Sequence, residues 1–409
     1  RWVATRINWD PVNALRQSFT RTKTRNLAEF RAMMDLRTNS SNNTVYADAD
    51  GNIAYFHGNF VPRRDPRFDY SRPVDGSDPA TDWNGSHPVE ELVTVFNPSV
   101  GWIQNTNATP FTAAGTDSPR AEDYPVYMAP DPQNFRGVHA VQVLTGQQDL
   151  TLERLIELAY DPYLPAFATL LPPLLAAYDR SAARYPALRQ PITALRSWDY
   201  RVTGDSVAMS LAHFFARDLL ATGTAPPDLS RMRKVEFHAA QSPDALLLEV
   251  FENTVAAMVR DYGRWDTPWG AINRFQRLSG DITGRFDDAA PSLAVPMASG
   301  RWGALASYGA RRFGKTLRLY GYAGNSFVAA VEFGERVRAR TLLAGGQSGD
   351  PASPHFNDQS QRYVEARFKE AAYYREDVEQ RALRRYHPGQ RGGTVTSGPN
   401  SSTIRNSHR

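Results

Sequence analysis

The sequence predicts an α+β protein, with strands and helices gathered into separate stretches of chain rather than alternating. Three observations carry that expectation. Before residue 150, short runs of β-forming residues are separated by clusters of Gly, Pro, Asn and Asp. From 151 to 262, apolar residues recur three and four apart, the spacing of one buried helix face. Beyond Trp265 the strand-like pattern returns.

Taken in order, Asn26-Leu-Ala-Glu29 has the spacing of a capping box. Leu27, Phe30, Met33 and Met34 follow on one helical face, until the polar run 38–42 stops it. Residues 43–47 and 53–57 read as a hairpin around Asp48-Ala-Asp-Gly-Asn52. An EF-hand loop has Gly sixth and Glu twelfth, whereas here Gly51 is fourth and Asn59 twelfth, so the segment is a turn. Residues 61–88, rich in Pro, Asp, Gly and Arg, form a long loop of the kind that serves or packs against a site. Residues 93–96 and 101–104 are the next expected strands. In the helical block the expected helices are 151–160, 166–178, 206–221 and 244–262, the last capped by Asp244 and stopped at Gly263. Residues 317–320 and 327–333 follow as strands, the second nearly continuous in apolar residues and therefore expected to be buried. Residues 358–386 read as one or two surface helices. The stretch 389–409 has almost no apolar residues and is expected to be disordered, leaving 1–388 as one domain with 151–262 as its helical section.

At 409 residues, 41% hydrophobic and 22% charged, the chain can bury a sizeable core without covalent staples. It contains no Cys, which removes thiol nucleophiles, Cys-ligated zinc and disulfides. The formal charge of +4 comes from Arg spread along the chain, so no nucleic-acid partner is expected. The most apolar run, 167–178, is short and broken by Pro172-Pro173, and no membrane span is expected. The chain starts at Arg1 rather than Met, which reads as a processed or truncated product, with any signal peptide expected upstream.

Several motifs bear on chemistry. Gly309-Ala-Arg-Arg-Phe-Gly314-Lys315-Thr316 matches the literal P-loop pattern, in which backbone amides at a helix N-terminus cradle phosphates. The sequel, Leu317-Arg-Leu-Tyr-Gly-Tyr-Ala-Gly324, alternates and is broken by Gly, which no helix favours. Weak nucleotide binding at 309–316, in a non-catalytic fragment or binding module, is thus the alternative reading. No Gly-x-Ser-x-Gly surrounds Ser307, Ser326 or Ser348, and the eight His lack zinc-hydrolase spacing. The Asn-x-Ser/Thr sequons at Asn39, Asn42, Asn84, Asn107 and Asn400 are compositional. The stretch Gly101–Phe111 offers more. Asn105 and Asn107 follow an apolar pair and precede Pro110, so a chain leaving a strand would present amide donors rigidly, as oxyanion stabilisation needs. A simple turn is the competing reading. With no nucleophile of recognisable type, the chain suits the downstream part of a hydrolase whose nucleophile is the first residue of a processed chain, its own α-amine serving as base.

An ordered run of motifs sharpens this. Tyr46-Ala-Asp-Ala-Asp-Gly-Asn-Ile-Ala-Tyr55, Pro62-Arg-Arg-Asp-Pro-Arg67, Pro73-Val-Asp-Gly76, Asp82-Trp-Asn-Gly85 and Asn97-Pro-Ser-Val-Gly-Trp-Ile-Gln-Asn-Thr-Asn-Ala-Thr-Pro110 occur in succession. Gly324-Asn-Ser326 and Gly345-Gly-Gln-Ser-Gly-Asp-Pro-Ala-Ser-Pro-His355 follow later. The order and spacing resemble the C-terminal part of the β-subunit of the penicillin acylase (penicillin amidase) family of N-terminal-nucleophile hydrolases, up to about Pro388. The resemblance implies part of a four-layer αββα sandwich. It also implies hydrolysis of the amide of an N-acyl substrate, a β-lactam antibiotic or an N-acyl-homoserine lactone, through an acyl-enzyme. The nucleophile and the backbone half of the oxyanion hole are expected upstream of Arg1. The implied partners are therefore the α-subunit and the N-terminal part of the β-subunit, cleaved autocatalytically from the same precursor. The side-chain half of the oxyanion hole maps onto Asn107, and the Arg that orients it onto Arg136, within Asn134-Phe-Arg-Gly137. The chemistry requires no cofactor. A structural calcium is implied, with the Pro66 carbonyl of Asp65-Pro66 as a ligand, and the location implied is periplasmic or secreted.

Overall fold

The computed structural model describes residues 2–7, 9–38, 42–58, 60–383 and 385. The expected disordered tail and the sequons at Asn39 and Asn400 lie outside the described residues.

The chain enters through α1 (Pro11–Arg21) and α2 (Leu27–Met34). In α2 the Asn26 side chain accepts from Glu29 N at 2.9 Å, while the Glu29 carboxylate reaches back to Arg25 N, one residue before the cap. The capping box forms with that one-residue shift, and Phe30, Met33 and Met34 pack on Ala54, Phe56 and Val89. Helix α1 was not anticipated: Pro11 starts it, and its apolar Val12, Leu15 and Phe19 stay exposed. The hairpin is present as β1 (Thr44–Ala47) and β2 (Ile53–Phe56), with β3 (Thr94–Phe96) added antiparallel to β2. Its turn is held by the Asp48 carboxylate, which accepts from Asp50 N and Asn52 N, and by Gly51 at φ 83.

Residues 101–104 are not the expected strand. Asn97 at φ 45 and Gly101 at φ 76 are left-handed and turn the backbone away from the sheet.

The helical block consists of α3 (Phe135–Leu144), α4 (Leu152–Ala159), α5 (Pro165–Ser181), α6 (Arg189–Arg196), α7 (Val207–Ala221), α8 (Arg231–Gln241) and α9 (Asp244–Tyr262). Phe167, Leu170, Leu171 and Leu174 of α5, Met209, Leu211 and Phe215 of α7, and Leu248, Phe251 and Met258 of α9 form the main core. Burial of α5 holds it together across Pro172-Pro173. Helices α3, α6 and α8 were not foreseen; α8, for example, buries only Val235 and His238 and so lacks a long apolar stripe. Asp244 is the first residue of α9, not its cap; Pro243 takes that position, and Asp244 instead holds Arg180 in a two-pronged pair at 2.6 Å. Gly263 ends α9 as expected, at φ 80 with its N–H on Val259 O.

The rest of the chain gives α10 (Trp269–Ile272), β4 (Asn273–Phe275), β5 (Leu293–Ala294), β6 (Tyr308–Arg311), β7 (Leu319–Gly324), β8 (Phe327–Glu332), β9 (Arg338–Leu343), α11 (Ser360–Val364), β10 (Lys369–Glu370) and α12 (Arg375–Arg381). One sheet runs β5-β4-β7-β6, with β4 and β7 parallel; another runs β10-β9-β8. Strand β8 exists but is not buried. It is the edge of its sheet, and Phe327 is 61% exposed and Val331 38%. Residues 358–386 hold two short helices with a strand between them, and α11 buries Tyr363 and Val364 against Tyr308 and Leu342 rather than lying on the surface. Strands and helices segregate along the chain as an α+β protein requires.

The P-loop alternative fails on geometry. Residues 309–316 are the end of β6 and the turn into β7, an antiparallel hairpin with no helix after it. Thr316 Oγ1 accepts from Phe313 N at 2.9 Å and donates to Arg318 O at 3.1 Å, closing its own loop rather than facing a ligand.

Candidate active site around Asn107

The loop from Asn97 to Pro110 alternates anchors with presented groups. Trp102, Gln104, Ala108 and Pro110 are buried. Gln104 is tied twice to the following turn, by its N–H to Ala113 O at 2.8 Å and by Nε2 to Thr112 O at 3.0 Å. The Asp117 carboxylate accepts from Val100 N at 3.2 Å and also from Ser99 N. Between these anchors Asn105 and Asn107 are exposed. Asn105 Oδ1 accepts from Asn107 N at 3.2 Å, an Asx-type turn that sets Asn107 at φ 56. Asn is among the few residues that occupy this left-handed region at small cost.

The second half of the arrangement comes from the start of α3. Asn134 caps the helix, accepting from Gly137 N at 3.0 Å, and its Nδ2 donates to Thr106 O at 3.1 Å and Asn107 O at 3.3 Å. Phe135 anchors the helix in the main core. Arg136 Nη2 donates to Thr106 O at 2.6 Å and to Asn107 Oδ1 at 2.9 Å. Gly137 leaves room for this closeness, since a Cβ there would lie 2.2 Å from Gln133 Oε1 and 3.2 Å from Thr106 Oγ1. Burial lowers the Arg136 pKa from the ordinary arginine value.

The Arg136 contact decides the orientation of the Asn107 amide. A guanidinium only donates, so the atom facing it must be the carbonyl oxygen. The Nδ2 group is then the one turned outward, and no described residue accepts from it. An amide donor on an exposed residue, its oxygen held by Arg136 and its Nδ2 without an acceptor among the described residues, suits stabilisation of a developing oxyanion. The structure thus brings Asn107 and Arg136 together.

Pro66 is not part of this cluster. The Asp65 carboxylate beside it is engaged by the Arg67 guanidinium at 2.6 and 3.0 Å, which holds its pKa below the usual carboxylate range. Among the described residues no group of three or more His, Cys, Asp or Glu is placed to hold a metal ion. These residues therefore do not by themselves form a calcium site.

Sequence reasoning missed Asn134 as a member of the site, although an Asn before Phe-Arg-Gly at the start of a helical run is an N-cap signal.

A profile of the penicillin amidase family matches residues 1–380. The chain belongs to the penicillin amidase family. It is 25% identical over 342 residues to a penicillin acylase 2 proenzyme of a Pseudomonas species, covering 78% of this chain and 42% of that protein. It is 26% identical over 384 residues to the acyl-homoserine lactone acylase PvdQ of Pseudomonas putida, covering 82% and 46%. The chain thus spans less than half the length of these curated relatives. Its fold is like that of a thermostable penicillin G acylase from Alcaligenes faecalis, with TM-score 0.59 and 17% identity over 95% of this chain and 73% of that one. The chain shares with that structure its mixed helix-and-sheet architecture.

Proposed function

We propose that this chain is the C-terminal part of an acyl-amide hydrolase, with Asn107 Nδ2 as the side-chain donor of its oxyanion hole and Arg136 as the residue that orients it. In this reading a hydroxyl or thiol nucleophile elsewhere in the whole protein adds to the substrate carbonyl. The oxygen becomes an oxyanion within reach of Asn107 Nδ2, and the C–N bond breaks as the leaving amine takes up a proton. Water then hydrolyses the acyl-enzyme, releasing the acid and restoring the nucleophile. The observation that carries the reading is the 2.9 Å contact from Arg136 Nη2 to Asn107 Oδ1, which leaves Nδ2 as the outward group.

The names of the relatives support two substrate classes, the amide of a β-lactam antibiotic and that of an N-acyl-homoserine lactone. The partners in this proposal are an α-subunit and the N-terminal part of the β-subunit, released from one precursor. A periplasmic or secreted location belongs to the same reading; among the described residues no helix is long and apolar enough to cross a membrane. A structural calcium belongs to the same reading, with the Pro66 carbonyl as one ligand and further ligands from the rest of the protein.

The test is Asn107→Ala in the full-length protein, assayed on penicillin G and on an N-acyl-homoserine lactone. Loss of one oxyanion donor lowers kcat on the order of a hundredfold to a thousandfold, with an unchanged circular dichroism spectrum. Turnover near that of the parent enzyme would sink the assignment.

A further inference from the structure

We infer that Gly300, Ser307 and Asn325 form a bracket that positions Arg136 and, through it, the Asn107 amide. The inference rests on the proposed role of Asn107.

Arg136 is a half-buried cation whose hydrogen bonds go to two neutral oxygens, Thr106 O and Asn107 Oδ1. Burial lowers its pKa, and among the described residues no carboxylate forms an ion pair with it. A long side chain without an ion pair keeps its rotamer freedom unless packing removes it, and a loose Arg136 would leave the Asn107 side-chain amide without its orienting donor. The packing is supplied by Gly300, which opens the short helical turn Gly300–Trp302. A Cβ at Gly300 would lie 2.7 Å from Arg136 Cδ and 3.1 Å from Nε, so the Arg136 side chain rests directly on the bare Cα.

Gly300 is in turn fixed from behind. Its N–H donates to Ser307 Oγ at 2.8 Å. Ser307 is clipped twice by Asn325: Ser307 N donates to Asn325 Oδ1 at 2.8 Å, and Asn325 N donates to Ser307 O at 3.0 Å. The Asn325 carbonyl accepts from Tyr363 Oη at 2.9 Å, tying the clip to buried α11. Gly324 permits the approach, since at φ 142 a Cβ there would lie 2.3 Å from Ser307 O. The far end of the same turn also grips α3: Gly303 O accepts from His139 Nδ1 at 2.9 Å, one helical turn beyond Arg136. The turn therefore holds α3 at two points, one of them the orienting side chain. The Gly324-Asn-Ser326 motif, which matched no nucleophile pattern, finds its place as the back of this bracket.

The bracket acts on geometry at the reacting centre, so its loss should appear in kcat rather than KM. In the full-length protein, with N-acyl p-nitroanilides of phenylacetic and straight-chain fatty acids as probes, Gly300→Ala is expected to lower kcat on the order of a hundredfold. KM should stay within about twofold, because the binding groups are not displaced. Asn325→Ala should lower kcat by about tenfold, and Asn325→Asp, which keeps an acceptor for Ser307 N, should recover most of it. In an Asn107→Ala background Gly300→Ala should cost nothing further, since the two act as one unit. A folded Gly300→Ala enzyme with parental kcat overturns the bracket, as does an additive loss in the Asn107→Ala background. If Gly300→Ala does not fold, the Asn325 pair decides: equal damage from Ala and Asp overturns the bracket, and recovery by Asp upholds it. If Asn107→Ala alone keeps full activity, the oxyanion reading fails first and the bracket with it.

Discussion

Asn107→Asp separates the two halves of the proposed site, because it keeps one and reverses the other. Oδ1 stays where Arg136 Nη2 meets it at 2.9 Å, and Asp accepts a φ of 56 nearly as well as Asn. The change replaces Nδ2, a donor, with a second oxygen that can only accept. A forming oxyanion then meets a negative charge instead of an N–H. Removal of one such donor costs about 2.7–4 kcal/mol of transition-state stabilisation, and the added repulsion places the expected loss at the upper end, near a thousandfold in kcat. Stability should move the other way. The hydrogen bond from the Arg136 cation to a neutral carbonyl becomes an ion pair at an exposed loop, worth about 0–1 kcal/mol. Arg136 would hold the new carboxylate below its unfolded value, so that gain is present above a pH of about 4 and is lost as pH falls through the folded pKa. The assay is kcat on an N-acyl p-nitroanilide beside a urea midpoint, both at pH 7, for the full-length protein. An enzyme with kcat within about threefold of the parent refutes the donor role. A lowered urea midpoint refutes the orientation assigned to the amide.

Two further outcomes are expected. His213 accepts from Trp302 Nε1 at 3.2 Å, and burial, with Arg217 and Arg301 adding to it, pulls its pKa down to about 3. As pH falls the unfolded chain takes up this proton first, so stability should drop from about pH 6.5 towards 3, by up to about 1.4 kcal/mol per unit; His213→Gln, which keeps an acceptor, should flatten the urea midpoint measured between those limits, and a parallel profile would count against this. At Gly263, φ is 80 and a Cβ would meet nothing within 4 Å, so Gly263→Ala should cost only the left-handed strain, about 1 kcal/mol. That is a melting shift of a few degrees at most with unchanged turnover, and a larger loss would show that packing is involved.

How much of this was legible depends on the range of the interaction. The cap at Asn26, the turn at Asp48–Asn52 and the stop at Gly263 rest on contacts within about four residues, and all three formed where the sequence placed them. Strand β8 was legible as a strand, since its β-forming residues set local conformation, but not as exposed; that depends on which layer covers it. The stretch 101–104 carried strand-like residues and is a loop, because left-handed positions at Asn97 and Gly101 turned the chain. At the site, the ordered motifs singled out Asn107 and Arg136 through resemblance, while Asn134 was passed over.

The sequence by itself determined the α+β class, the family and the two residues on which the proposal turns. Their partnership was decided only in three dimensions. Arg136 lies 29 residues from Asn107, and the direction of the Asn107 amide follows from which of its atoms meets that guanidinium. Gly300, Ser307 and Asn325 lie farther still along the chain, and no local pattern encodes a contact that exists because two distant backbones leave no room for a Cβ. Local rules reach about one helical turn, whereas the orientation of a side chain in a site is set by whatever the fold packs against it.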